Sequence, residues 1–254
     1  MRELIYITTA AGGNATAIQI LEEALDGKEY ARKGKKLIDE FQNFQVEQAG
    51  FLIPKDKHFE MSGGEFCGNT AGAAAILLGN TFEKQEIDFT MSGFEGDITG
   101  CFNNIRTNKY SVKCVFPNLS LDIEQIDDNM YLADMGGIIY VVIKGKTPTG
   151  CETFHRRLIR RLNLEDRKAV GAVWVQNDGD AVKIDPVVWV KEIDSLFYET
   201  SCGSGSIAVA KVMNKANIIQ PTGKVIKIFF EGQDVVVNSE IQILHKKHIE
   251  RLED

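Results

Sequence analysis

The stretch MSGGEFCGNTAGAAAILLG, Met61 to Gly79, puts a cysteine and a glycine directly before a run of alanine, isoleucine and leucine. Its spacing predicts a helix from about Gly68 to Leu78, ending at Gly79-Asn80. Ala71, Ala73, Ala74, Ala75, Ile76, Leu77 and Leu78 leave that helix no polar face. A helix apolar all round is buried all round, so strands must wrap it. Its first turn still carries free N–H groups, and Cys67 sits where they begin.

YETSCGSGSIAVAKVM, Tyr198 to Met213, repeats the device. With Cys67 laid on Cys202, Gly68 meets Gly203, Asn69 meets Ser204, Ala73 meets Ala208 and Ala75 meets Ala210. The second helix, Gly203 to Met213, is nearly as apolar, with Lys211 as the exception.

Outward from these two segments the plan also repeats. In the first half ELIYITT and EQAGFLIP read as strands around a helix in KEYARKGKKLIDEF. After Cys67 come the strand-like runs EIDFTMSG, GDITGCFNN and KYSVKCVFP. In the second half MYLADMGGIIYVVIKG reads as strand and TFHRRLIRRLNLED as helix. GAVWVQNDGDAVKIDPVVWV reads as a hairpin turning at Asn177-Asp178-Gly179. After Cys202, GKVIKIFFEGQDVVVNSEIQIL reads as strands joined by a Gly turn, and the charged tail from His245 either pairs or frays. The expected fold is α+β: two related halves, 1–118 and 119–254, mostly antiparallel, with a boundary near Pro117.

The bulk composition narrows the function classes. The 254 residues carry a net charge of −7, which disfavours nucleic acid and anionic membranes as partners. Arg156, Arg157, Arg160 and Arg161 fit the solvated face of a helix whose apolar side is Phe154, Leu158 and Leu162. No apolar run is long enough to span a membrane, and the N-terminus lacks the pattern of a signal peptide. Five cysteines, none in a C-x-x-C pair, indicate neither a disulfide framework nor a zinc site, so a cytoplasmic location is expected. No Walker loop, dinucleotide fingerprint or H-E-x-x-H occurs, so no cofactor and no metal are expected.

A helix N-terminus favours thiolate over thiol and offers N–H groups to a carboxylate. Gly68 and Gly203, next to the cysteines, would let a ligand approach the backbone closely. Two such sites facing across a cleft would hold a small acid between two sulfurs. One thiolate would take the α-proton from one face while the other thiol returned a proton to the opposite face, inverting the carbon. A lone cysteine in an apolar segment is more often a small buried hydrophobe, and Cys101, Cys114 and Cys151 are read that way.

At these residues the sequence resembles the diaminopimelate epimerase family of pyridoxal-independent racemases and epimerases. The carriers are Cys67-Gly68-Asn69 and Cys202-Gly203-Ser204-Gly205. The resemblance implies two pseudo-symmetric halves, each a barrel-like sheet around one central helix, with Cys67 and Cys202 catalytic. It also implies that Asn14, in GGNAT, contacts substrate, as do Asn69 and Ser204. The Glu-Arg pair that precedes the second cysteine in diaminopimelate epimerases is missing from VKEIDSLFYETSC, and the G-N-P-H segment is replaced by MGGIIYVV. A second substrate carboxylate would lack its partner. MSGGEFCGN and SCGSG resemble the cofactor-independent histidine racemases more strongly. Glu65 and Glu199 are then candidates for the substrate ammonium or an imidazole N–H, and Phe66, Phe197 and Tyr198 for an aromatic wall.

The expected function is therefore an amino-acid racemase acting on a small-molecule amino acid, histidine first, with diaminopimelate or another amino acid as alternatives. Phenazine-type isomerases usually lack the second cysteine, and proline racemases show C-G-H in the first motif. From another class, a non-catalytic amino-acid binder or a thiol sensor would use the same helix ends without turnover. The oligomeric state stays open, with a homodimer as one option.

Overall fold

Two periodicities alternate along the chain, and each produces its own element. A computed structural model describes residues 2–250. The first half lays down β1 (Arg2–Ala10), β2 (Gly13–Ile20), α1 (Gly27–Glu40), β3 (Val46–Ile53), β4 (His58–Met61), α2 (Gly68–Phe82), β5 (Glu86–Met91), β6 (Ile98–Arg106) and β7 (Lys109–Phe116). The second adds β8 (Asp122–Asp127), β9 (Met130–Asp134), β10 (Ile139–Lys144), α3 (Cys151–Arg161), β11 (Ala169–Asp178), β12 (Ala181–Val190), β13 (Ser195–Tyr198), α4 (Gly203–Met213), β14 (Asn217–Ile219), β15 (Val225–Glu231) and β16 (Asp234–Glu250).

All sixteen strands belong to one sheet, ordered β1-β2-β3-β4-β5-β6-β7-β16-β15-β14-β12-β11-β10-β9-β8, with β13 on β12. Most pairs are antiparallel. The pairs β2–β3, β4–β5, β10–β11 and β12–β14 are parallel, and a helix lies in each of those connections, as parallel pairing requires. β16 pairs with β7 from Val235 to Gln242 and with β1 from Ile241 to Glu250, which closes β1–β7 and β16 into a ring. Inside that ring α2 packs on β1, β5, β6, β7 and β16. Every residue from Gly68 to Gly79 is buried. Ile76 and Leu78 are fully enclosed, each contributing roughly 1.5–3 kcal/mol of burial. α4 packs on strands of the second half and on β16.

A barrel-like sheet around a central helix is the expectation for each half; the strands of both halves belong to one sheet, which closes into a ring around α2. β16, at 17 residues, is long enough to serve β15, β7 and β1 in turn. The pairings of the second half run out at β8, and among the described residues none joins β8 back to β16. The tail from His245 pairs with β1 as far as Glu250, while 251–254 lie outside the described residues.

Several local expectations shift for physical reasons. α2 continues past Gly79 to Phe82, with Glu83 left-handed at φ 54° as its cap. Gly79 serves close packing rather than a stop: a Cβ there would lie 2.3 Å from Phe102 Cε1 and 2.5 Å from Lys84 O. MYLADMGGIIYVVIKG is a hairpin, β9 and β10, because Gly136 turns the chain at φ 73°. α3 buries Cys151, His155, Leu158 and Ile159, while Phe154 is exposed and packs edge-on to Trp174. Its arginines at 156, 157, 160 and 161 are exposed, as expected. Cys114 and Cys151 are buried, but Cys101 alternates outward on β6, with its sulfur 3.0 Å from Glu86 Oε2. Among the described residues no helix is long and apolar enough to cross a membrane.

Candidate active site

The two apolar helices begin in the same way. Cys67 caps α2 at φ −134°, ψ 106°, and Cys202 caps α4 at φ −140°, ψ 106°. The starts abut. A Cβ on Gly203 would lie 2.8 Å from Asn69 N and from Gly68 C, and one on Gly68 would lie 3.1 Å from Ser204 N. Asn69 fastens this junction by donating from Nδ2 to Ser201 O at 3.0 Å. Only glycines permit such an approach of two helix N-termini, and their free N–H groups converge there.

Cys67, Asn69, Cys202, Gly203 and Ser204 line one cavity with Glu65 and Glu199. Gln48, Phe66, Ile138, Tyr140, Val188 and Val190 complete its wall. Its volume is about 20 Å³, room for roughly one water. The turn after β4 helps seal it: a Cβ on Gly63 would lie 2.3 Å from Val190 Cγ1 and 2.7 Å from Glu65 Oε2.

The two sulfurs have different partners. Cys202 Sγ accepts from Gly205 N at 3.3 Å and stands 3.1 Å from Tyr140 Oη. Tyr140 Oη is in turn 2.9 Å from Ser204 Oγ. Cys67 Sγ faces the Gln48 amide, 3.6 Å from Nε2 and 3.7 Å from Oε1. Gln48 Nε2 also donates to Thr16 Oγ1 at 3.0 Å and to Asn14 Oδ1. Asn14 thus stands behind Gln48, left-handed at φ 51°, and its N–H donates to Thr200 Oγ1 at 3.0 Å.

Burial dominates the electrostatics. It pushes Glu65 up to about 7 and Glu199 up to about 8, although hydrogen bonds act against it at both. Glu47, which accepts from Thr200 Oγ1 at 3.2 Å, is pushed by burial up to about 7. The helix ends alone would lower the thiols. In the sealed site burial, with the Glu199 carboxyl beside them, instead pushes Cys67 up to about 11 and Cys202 well above the ordinary thiol range. Three buried polar atoms near the junction lack hydrogen-bond partners among the described residues: Glu65 Oε2, Asn69 Oδ1 and Ser201 Oγ. Among the described residues no group of three or more His, Cys, Asp or Glu is placed to hold a metal ion.

All nine residues singled out from sequence fall at or directly behind this junction. The aromatic wall is narrower than expected. Phe66 lines the cavity, stacked edge-on to Phe116, while Tyr198 turns away and donates to Asp185 Oδ1 at 2.6 Å. Gln48 and Tyr140 were not legible. Gln48 lies in a buried strand with no motif around it. Tyr140 belongs to MGGIIYVV, which draws notice only for the Asn and His it lacks.

The family model for the histidine racemase CntK N-terminal domain matches residues 3–246. Two histidine racemases from strains of Fusobacterium nucleatum subsp. nucleatum are 31% and 32% identical to the chain. The first match covers 80% of this chain and 81% of the relative, the second 80% of each. Among solved structures, a predicted epimerase from Pseudomonas aeruginosa superposes with a TM-score of 0.65 at 11% identity, covering 100% of both chains. A PhzF-family phenazine biosynthesis protein from Bacillus anthracis gives 0.58 at 8%, covering 98% of this chain and 100% of that one. These two share the fold, so the chain's architecture is that of PhzF-like and epimerase-like proteins. With a family match over nearly its whole length and relatives above 30% identity, the chain belongs to the histidine racemase family and is an isomerase.

Proposed function

We propose that the protein interconverts L- and D-histidine by two-base proton transfer, with Cys67 serving one face of the α-carbon and Cys202 the other. The observation that carries this reading is the shared cavity at two abutting helix starts. One cysteine, as thiolate, takes the α-proton and becomes a thiol. The other, as thiol, gives its proton to the opposite face and becomes a thiolate. The electron pair left on Cα is spread into the substrate carboxylate between these steps. N–H groups at Gly68, Asn69, Gly203 and Ser204 stabilise that charge, and the dry site strengthens the effect. No cofactor takes part in this scheme.

Glu65 Oε2, buried without a partner among the described residues, and the side chain of Asn14, which reaches the Glu199 carboxyl, support roles in holding substrate polar groups. Glu65 and Glu199 are the acceptors for ammonium or imidazole N–H. Among the described residues no lysine or arginine lines the cavity, so a distal carboxylate would go unpaired there. That disfavours diaminopimelate and agrees with the names of the relatives. The thiolate form requires the cavity to open to substrate and lose part of its burial.

We also read the chain as two related halves, 1–118 and 119–254. Both contain the order strand–strand–helix–strand–strand before their central helix, with β8 added ahead of it and β13 inserted after it in the second. All five cysteines are free, which suits a reducing cytoplasm.

The test uses L-histidine in D₂O. Wild-type protein racemises it and exchanges the α-proton for deuterium. Cys67→Ala and Cys202→Ala each lose racemisation by about 10²–10⁴-fold. Near-normal rates in either variant would refute the two-base scheme. Absence of exchange with every amino acid tried would favour the alternative of a binder or thiol sensor.

A further inference from the structure

Cys202 is held by two linked hydroxyls, those of Tyr140 and Ser204, whereas Cys67 has the single hydroxyl of Thr70 beside it. Tyr140 Oη lies 3.1 Å from Cys202 Sγ and 2.9 Å from Ser204 Oγ, and all three residues are buried. The ring of Tyr140 sits in a slot cut by two glycines. A Cβ on Gly171 of β11 would lie 2.1 Å from its Cε1, and one on Gly205 of α4 would lie 3.1 Å from the same atom. The ring therefore has one place to be, and its hydroxyl is aimed at the sulfur.

From this geometry we infer that Tyr140 is a positioning residue for Cys202, donating its O–H to the sulfur in the thiolate form with Ser204 as the second donor in the chain. The direction follows from what each atom can do. A thiolate only accepts, so Tyr140 donates to it and Ser204 Oγ donates to the Tyr140 oxygen. When Cys202 carries a proton, the pair reverses: the thiol donates to Tyr140, which donates to Ser204. The two hydroxyls thus follow the proton on Cys202 without any heavy-atom movement. Burial keeps the phenol protonated well past its usual range, so the donor is present across the working pH.

The titratable groups facing Cys202 are Glu199, on the segment leading into α4, and Tyr140 on β10. Cys67 at the start of α2 and Glu65 line the same cavity. Glu199 opposes the thiolate when ionised, whereas Tyr140 and the Gly205 N–H favour it. Cys67 faces the Gln48 amide, whose Nε2 and Oε1 lie at similar distances from the sulfur, and Thr70, whose hydroxyl and N–H favour its thiolate. The two bases are therefore supported by different groups, and the buried phenol of Tyr140 is what distinguishes the surroundings of Cys202.

This inference deepens the two-base reading and rests on it. Tyr140→Phe keeps the ring in its slot and removes only the hydroxyl. In a Cys67→Ala background, the pH dependence of Cys202 alkylation reports the thiolate directly, whether or not the protein turns over. Tyr140→Phe is expected to move that titration up by about one pH unit, and Ser204→Ala by less in the same direction. In otherwise wild-type protein Tyr140→Phe is expected to lower kcat/KM for histidine about tenfold. The fall must be equal in both directions because the two enantiomers are equal in free energy, while kcat and KM need not change equally in the two directions. The acid limb of kcat/KM moves up with the thiol. An unchanged Cys202 titration in folded Tyr140→Phe protein overturns the inference, even if activity falls, since a packing defect alone would leave it in place. Loss of the two-base reading has a different sign: Cys202→Ala would then still racemise.

Discussion

Gly68 and Gly203 touch across the junction of the two helix starts, so closely that a methyl group on Gly203 would lie 2.8 Å from the Gly68 carbonyl carbon. This contact sets the separation of the two helix N-termini and with it the placement of both sulfurs. Gly203→Ala is expected to force the helices apart, lowering stability by about 1–3 kcal/mol through overpacking. It should also reduce kcat/KM by roughly 10²-fold, because small displacements of reacting groups are costly. Thermal melts and racemisation assays on the one variant check both effects, and wild-type activity would mean that the junction tolerates spreading.

Gln48 holds Cys67 as Tyr140 holds Cys202, but with an amide. Gln48→Leu removes the contacts to Cys67, Thr16 and Asn14 together. Racemisation is expected to fall about 10–100-fold. Gln48→Glu places a carboxyl beside the thiol, and where it ionises the thiolate is disfavoured, so the acid limb of kcat/KM should move to higher pH. A pH profile identical to wild type in Gln48→Glu would separate Gln48 from the chemistry.

The buried carboxyls give stability a definite pH dependence. Glu65 and Glu199 titrate near 7 and 8 in the folded chain, above their ordinary value of 4.5. The folded state therefore holds protons that the unfolded state has released. Their contribution is fully present below about pH 4.5 and is lost as pH rises through 7 to 8. Glu199→Gln should be flatter than wild type across this window, with the difference in Tm between the two proteins shifting on the order of 5 °C between pH 5 and 8.5. Parallel Tm curves would show that Glu199 is ionised throughout.

A cavity of about 20 Å³ cannot hold an amino acid, so its walls must part for each substrate. The turn at 62–65 is pressed on Val190 through Gly63 and forms part of the seal. Its amides are expected to exchange faster than those of α2 in the free protein, and to slow when L-histidine is added. Hydrogen exchange read by mass spectrometry on the peptide spanning 60–67 checks this, and protection equal to that of α2 in both states would place the entrance elsewhere.

Much of the site could be read from the chain because it lies in two short motifs. An all-apolar run has to be buried, a buried helix has a start, and each start here carries Cys-Gly; Cys67, Cys202 and their neighbours follow from local sequence alone. The α1 helix was equally plain from KEYARKGKKLIDEF, and the structure adds a capping box of Asp26 and Glu29 at its start. β2 was not, because GNATAIQI is buried on both faces and so lacks alternation.

Sequence by itself determined the alternation of strands with helices in each half, the two enclosed helices and the cysteines at their mouths, since periodicity and helix-end chemistry act over a few residues. Tertiary structure alone decided that the two starts abut, that Gln48 and Tyr140 stand behind the sulfurs, and that one long strand joins both halves in a single sheet. It also decided the sign of the thiol shifts. A helix end favours the thiolate locally, but desolvation depends on everything packed around the sulfur, and in the closed cavity it outweighs the helix.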